Sequence, residues 1–241
     1  MSGKNSEHVS RLEELGGGDF WLDAKYSLFR SRIPRGGKRV LDIGCGTGRL
    51  AAQIASMGNE VVGMDSDNGA AIYAPKEFKK VRPPGKARFV RADATRAGRI
   101  FPAGSFDVII LSDVLEHVPD DSGLIGACAR LLRKGGVLLV SVPAHAWLWG
   151  PHDLACGHVR RYSARELRMK LGAEFREVRI RNWNFAMLPV SFLYAHILKR
   201  DYPHSAVSKS RLAGPLRAYY SGVESGMPFP IGLSLFAEAI R

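Results

Sequence analysis

Short apolar runs alternate with segments of helical periodicity through most of the chain, and that alternation predicts an architecture before any motif is read. Within the first 36 residues, Phe20, Trp21, Tyr26, Leu28 and Phe29 recur at roughly helical spacing until Pro34, Gly36 and Gly37 break the pattern. Residues 39–43, 60–64, 88–92, 106–112 and 136–142 read as strands, with helices over 48–57 and 124–132. Residues 165–171 read as a further helix, and 175–181 and 234–240 as two closing strands separated by a long stretch rich in Pro, Tyr and Leu. Strands and helices alternating at this spacing predict an α/β fold, a doubly wound, seven-stranded, mostly parallel sheet. Ligands of such a sheet lie at the C-terminal ends of its strands. The expected organisation is a single domain: 1–36 an N-terminal helical cap, 37–182 the core, 183–233 a lid or cover insertion, and 234–241 the last strand.

Composition narrows this only at the margins. The 241 residues are 46% hydrophobic and 24% charged, an ordinary globular mixture that excludes disorder as the main state. The net charge is +12; residues 1–150 carry 21 basic and 16 acidic side chains, and 151–241 carry 14 and 7, so the C-terminal part is the more basic. Such a balance suits nucleic acid, anionic lipid or a solvated surface. Cys45, Cys128 and Cys156 form neither an even disulfide set nor a C-x-x-C pair, and the N-terminal residues show no apolar signal core, so a cytoplasmic setting is expected. No run reaches the roughly 20 apolar residues of a spanning helix, although 182–198 comes close.

The chemistry is carried by Val40-Leu41-Asp42-Ile43-Gly44-Cys45-Gly46-Thr47-Gly48. A strand running into closely spaced glycines and then a helix lets the backbone approach a bound nucleotide, because no Cβ intervenes. A dinucleotide fingerprint needs its third glycine where Arg49 stands, whereas here the pattern is G-x-G-x-G preceded by Asp42. It resembles motif I of the class I S-adenosylmethionine-dependent methyltransferases, and in particular a ubiquinone/menaquinone-biosynthesis-like prokaryotic branch. The resemblance covers residues 18–182 in order and resumes at the final strand. It implies a Rossmann-like fold and S-adenosylmethionine as cofactor, bound around Asp42, Gly44, Cys45, Gly46 and Gly48.

Further positions follow the same pattern. Asp65 ends the run Val61-Val62-Gly63-Met64 and is the expected acceptor for the ribose hydroxyls. In the resemblance Asp93 faces the adenine amino group, Ala94 offers a backbone N–H, and the segment from Phe106 through Ser112 to Val118 borders the methionine part. Asp65 or Asp93 alone would read as a turn residue or helix cap. Their joint spacing after the glycine loop favours the cofactor reading. Asp107 and the Gly135-Gly136 turn read as structural.

Methyl transfer mainly requires alignment of donor and acceptor, with a base where the acceptor must lose a proton. His117 follows the fourth strand and is one candidate; a histidine bonded to backbone at a helix start is the plainer alternative. His145, His152 and His158 lie after the fifth strand and are the others. His152, Asp153, Cys156 and His158 also invite a metal site, but one loop would have to supply every ligand and no second paired motif closes it, so no metal is expected. The Gly157-His158-Val159-Arg160-Arg161-Tyr162 element is similar to a lid or acceptor-site element of the same branch. Arg160, Arg161 and Tyr162 are thus candidate substrate ligands, the arginines suiting a carboxylate or phosphate; solvated arginines at a helix cap are the alternative. The apolar part of 183–233, with Lys199 and Arg200 beside it, suits a lid, a core cover or a peripheral membrane contact through 183–200.

The expected function is methyl transfer from S-adenosylmethionine to a small-molecule or lipid-like, anionic acceptor, on oxygen before other atoms. Two rivals stand beside it. A nucleic-acid methyltransferase suits the charge, but Ser112-Asp113-Val114-Leu115 departs from the Asp/Asn-Pro-Pro-aromatic loop associated with base amines. A protein that binds the cofactor without turnover is the other. Acceptor identity and oligomeric state are not readable from the residues.

Overall fold

The runs at 39–43 and 106–112 are apolar on both faces, as strands covered from both sides must be, and they form the centre of the sheet. In the computed structural model, which describes residues 20–201, 213–224, 226–227 and 229–241, seven strands are present: β1 (Arg39–Ile43), β2 (Glu60–Asp65), β3 (Lys86–Arg91), β4 (Phe106–Ser112), β5 (Leu132–Pro143), β6 (Glu177–Trp183) and β7 (Ser234–Ile240). They pair in the order β3-β2-β1-β4-β5-β7-β6. The strands from β3 to β5 are mutually parallel, and β7 inserts antiparallel to both β5 and β6. The order reverses between β1 and β4, so a crevice opens there at the strands' C-terminal ends.

Side chains alternate between two cores with the period of a strand. Leu41, Ile43, Ile109, Leu111, Leu138 and Val140 face one side, packed by α4 (Ala97–Ile100), α5 (Asp121–Leu131) and α7 (Ala164–Gly172). Val40, Val108, Ile110, Leu139 and Phe236 face the other, beneath α1 (Phe20–Arg30) and α2 (Arg49–Ala55). The remaining helices are α3 (Asn68–Val81), α6 (Pro151–Cys156), α8 (Leu188–Phe192) and α9 (Ala213–Tyr219). The helical cap expected over 1–36 is described from Phe20 onward; residues 1–19 lie outside the described residues.

Several strand boundaries differ from those the apolar pattern predicts, and at two of them, the starts of β5 and β6, the cause is plain. β5 starts at Leu132 instead of 136, because Leu132 pairs with Phe106 before a register break restores Val137 opposite Val108. β6 starts at Glu177 instead of 175: Phe175 is buried and its N–H bonds to Leu171 O, finishing α7. Within 183–233, Trp183 and Tyr220 are fully buried with Phe20 and Trp21 in an aromatic cluster whose ring centroids lie 5.7–5.8 Å apart. The buried Glu224 accepts the N–H groups of Asn184 at 2.6 Å and Phe185 at 3.1 Å, closing that end of the insertion onto β6.

Gly232 marks where the chain returns to form β7. An added Cβ there would sit 2.8 Å from both the backbone N and C of Trp183, atoms that cannot step aside. Gly232→Ala is expected to destabilise the protein by about 1–3 kcal/mol, read from urea unfolding, with an unchanged strand content by circular dichroism.

Candidate cofactor and acceptor site

Three of the glycines expected to approach a cofactor adopt left-handed conformations: Gly44 at φ 75°, Gly46 at 50° and Gly48 at 74°. At Gly44 the constraint is also spatial, since an added Cβ would lie 2.5 Å from Val114 Cγ2. The loop is pinned to the neighbouring strand by Gly44 N–H donating to Met64 O at 2.7 Å. Asp65 lies directly beneath it: one carboxylate oxygen accepts Gly46 N–H and the other Asp67 N–H, both at 2.9 Å. Burial raises the Asp65 pKa, and these two backbone bonds pull the other way.

Asp42 is buried at the end of β1 with Oδ2 lacking a hydrogen-bond partner among the described residues. Burial, and then the charge of Asp65, push its pKa up to about 7. Cys45 is buried beside these acids, and its thiol pKa is raised by burial first and then by Asp42 and Asp65. Asp93 is exposed at the end of β3, and its Oδ1 accepts Thr95 N–H at 2.9 Å and the Thr95 hydroxyl at 2.5 Å, a cap for the turn that includes Ala94. Ser112 ends β4, its Oγ 3.5 Å from Ser141 Oγ.

Beyond Ser112 the site contains groups that the motifs did not single out. Asp113 adopts a left-handed conformation, φ 54°, accepts the Ser141 hydroxyl at 3.0 Å and forms an ion pair with Lys25. Lys25 is 1% exposed and lies 4.0 Å from the Trp21 ring. A lysine one turn after Trp21 and one turn before Leu28 and Phe29, on the apolar stripe of α1, is a signal that the sequence did carry. Glu116 is 1% exposed, with neither carboxyl oxygen bonded to another described residue. Burial, and next Asp113, raise its pKa well above the usual carboxylate range.

The segment after β5 folds against this turn. Tyr162 N–H bonds to Pro143 O and His145 N–H to Tyr162 O, each at 2.9 Å, while Val159 N–H reaches Glu116 O at 2.8 Å. Tyr162 is buried, and its hydroxyl, shared with Leu115 O, donates to Asp121 Oδ2 at 2.7 Å. Arg160 pairs with Asp121 at 3.0 Å and donates to Pro119 O at 2.7 Å. Arg161 is buried, donating to Asp153 Oδ1 at 2.8 Å and to Ala144 O at 3.1 Å. The arginine pair expected to hold an anionic acceptor group is therefore engaged by carboxylates and carbonyls of the fold itself.

Of the four histidines, three gather. His117 and His158 meet edge to face at 4.9 Å, and His152 stands 6.2 Å from His158. One polar atom each of Glu116, His117 and His158 lies within 4.8 Å of the others, near enough to share one ligand atom. His145, at φ 63°, stacks on Trp147 instead, and burial lowers its pKa. His152 bonds to Asp201 at 2.7 Å, and burial lowers its pKa despite that partner. The metal reading of His152, Asp153, Cys156 and His158 meets a half-buried Cys156 thiol pushed up to about 12 and an Asp153 held by Arg161 and His158.

Known proteins share part of this chain's sequence and its fold. Residues 41–140 match the family described as "Methyltransferase domain". The chain is 37% identical over 121 residues to the ubiquinone biosynthesis O-methyltransferase of Thiobacillus denitrificans, an alignment covering 50% of this chain and 48% of that protein. It thus spans about half the length of the curated relatives it matches. A SAM-dependent methyltransferase from Thermotoga maritima, titled a possible histamine N-methyltransferase, superposes with a TM-score of 0.64 at 16% identity, covering 100% of both chains. The [4+2]-cyclase SpnF superposes with a TM-score of 0.62 at 20% identity, over 91% of this chain and 80% of that one. At such identities the likeness establishes the fold, here that of the class I methyltransferases.

Asp42 makes the ligand-free site sensitive to pH. Its folded-state pKa, about 7, lies above the unfolded value of 3.8, so the stability it contributes is complete below the unfolded value and is lost as pH rises through 7. Asp42→Asn should raise the stability of the ligand-free protein by about 2–4 kcal/mol at about pH 8 and change it little near pH 4. Urea unfolding at both pH values checks the difference.

Proposed function

We propose, from the class I methyltransferase domain that this chain carries, that it moves a methyl group from S-adenosylmethionine to a hydroxyl of a small or lipid-like acceptor. The observation that carries this reading is the crowd of acids at one edge of the sheet. Asp42, Asp65, Asp113 and Glu116 converge there, and among the described residues the buried cation paired with any of them is Lys25. Two of the four, Asp42 and Glu116, have pKa values raised far from the ordinary range, by burial first and then by the neighbouring acids Asp65 and Asp113. Such an edge favours a cationic ligand and loses part of its hold when that ligand becomes neutral.

When bound, the cofactor supplies an electrophilic methyl group on a sulfonium centre. Asp65 would accept the ribose hydroxyls, and the orphaned oxygen of Asp42 supports a donor from the amino-acid end. Gly44 and Gly46 leave room for close approach, with Cys45 and Gly48 shaping the loop between β1 and α2. Asp93 and Ala94 would border the adenine, and Ser112 the methionine part. His117 and His158, beside Glu116, would face the acceptor and offer a base; His145 and His152 would line the same loop.

Oxygen as the methylated atom is supported by the names of the relatives, which are O-methyltransferases. A lipid-like body is supported by Trp147, Phe192, Leu193, Ile197 and Leu198, apolar and partly exposed around the loop after β5. Since Arg160 and Arg161 are already paired, an anionic head on the acceptor is not part of this reading. No helix among the described residues is long and apolar enough to cross a membrane, so contact through 183–200 would be peripheral.

Asp65→Ala should weaken S-adenosylmethionine binding by about 1–3 kcal/mol, because ribose hydroxyls then lack their acceptor in a closed site. Calorimetry measures this, and mass spectrometry of cell extracts incubated at limiting cofactor should show a 14-unit gain on an acceptor with the parent and a smaller yield of it with the variant. Equal affinity in the variant would overturn the ribose assignment, and binding without any mass gain would favour a non-catalytic protein.

A further inference from the structure

Asp153 and Arg161 carry more than the loop they close. Asp153 is fully buried at the start of α6; its Oδ2 accepts Gly150 N–H at 3.0 Å, and its Oδ1 accepts both Arg161 Nε and His158 Nδ1 at 2.8 Å. The backbone of His158 is fixed by the same residue, its N–H donating to Asp153 O at 2.9 Å. Burial alone would raise the Asp153 pKa, but the bonds from His158 and Arg161 outweigh it and hold the group at about 2. An ionised carboxylate only accepts hydrogen bonds, so Nδ1 of His158 must carry a proton. In the neutral ring Nε2 is then a bare lone pair.

We propose that Asp153 and Arg161 are positioning residues for His158, fixing its Nδ1–H tautomer so that Nε2 takes the proton of the acceptor hydroxyl. This rests on the methyl-transfer reading above. The Arg161–Asp153 pair would close the loop by itself; the second bond on the same oxygen goes to a ring that gathers with Glu116 and His117 at the site edge. As the acceptor oxygen bonds to the methyl carbon, the carbon–sulfur bond breaks and its electron pair stays on sulfur, leaving a neutral thioether, while the acceptor O–H bond breaks and the proton passes to Nε2. The positive charge of the sulfonium reappears on the imidazolium, which then releases the proton to water.

Nitrogen NMR of the histidine-labelled full chain and kinetics with two phenols test this. The parent should show His158 protonated on Nδ1 alone when neutral, Asp153→Asn a mixture of tautomers, and Arg161→Lys the parent pattern. With 4-methylphenol, whose hydroxyl ionises near pH 10 as tyrosine does, kcat should fall about 100-fold in His158→Ala and at least about tenfold in Asp153→Asn. With 4-nitrophenol, already ionised in mildly alkaline buffer, neither loss should appear. A merely structural role would lower both rates together. An Nε2–H tautomer in the parent, or equal losses with both phenols, overturns the proposal. If the parent turns over neither phenol, its tautomer alone decides. Failure of the parent to bind S-adenosylhomocysteine by calorimetry would instead overturn the methyltransferase reading.

Discussion

Carboxylates held too close together at the C-terminal edge of the sheet are the constraint on which the site depends. Parallel pairing of β2, β1 and β4 brings Asp65, Asp42 and the turn holding Asp113 and Glu116 to one edge, and no rearrangement of loops could separate the first two. Asp42 has no partner for one oxygen, and Glu116 has none beyond its own turn. A hydrophobic residue at either position would pack with less penalty, since an unpaired buried acid costs several kcal/mol or neutralises itself. Retaining acids there makes the ligand-free edge poor and the cation-bound edge good. Lys25 pairs with Asp113 and its charge also lowers the Glu116 pKa, and it does so from α1, which ties the N-terminal helix to the crevice.

A second set of acids shows the contrast. Asp121 accepts Tyr162, Arg160 and Lys170, and Asp153 accepts Arg161, His158 and a backbone N–H. Both have pKa values below the usual range: burial raises each, and the bonds to these donors overcome it. These are satisfied networks, and they hold the segment after β5 against the turn after β4. Acids of the same type, a few residues apart in the fold, thus divide by partner count into those that brace the site and those that await a ligand.

The parts of this arrangement that were legible in the sequence are local. Apolar runs buried on both faces located β1 and β4, and the glycine spacing located the left-handed loop. Asp65 followed because the end of a parallel strand lies beside the end of its neighbour. What was not legible depends on pairing across long separations. Arg160 and Arg161 looked free because their partners, Asp121 and Asp153, are nameable only once the loop is folded back. The start of β6 was misplaced because Phe175, apolar in either state, completes a helix instead of opening a strand. Lys25 lies between these cases, since its place on the apolar stripe of α1 was visible while its partner 88 residues away was not.

The insertion before β7 serves two neighbours. Its later part, with Tyr220 and Glu224, is buried against Trp183 and α1 and belongs to the core. Its earlier part lies along the loop after β5: His196 bonds to Trp147 O at 2.7 Å, Phe192 stands 6.2 Å from the Trp147 ring, and Asp201 holds His152. Gly150 fits against Ala195 so closely that a Cβ there would lie 2.8 Å from it. The loop that presents His158 is therefore braced from below by Asp121 and Asp153 and from outside by 188–201. Changes in the insertion would reshape the wall facing an acceptor while leaving the acid edge of β1 and β2 untouched. Two surfaces with separate supports meet at Glu116, and that division allows one fixed donor site to be combined with a variable acceptor wall.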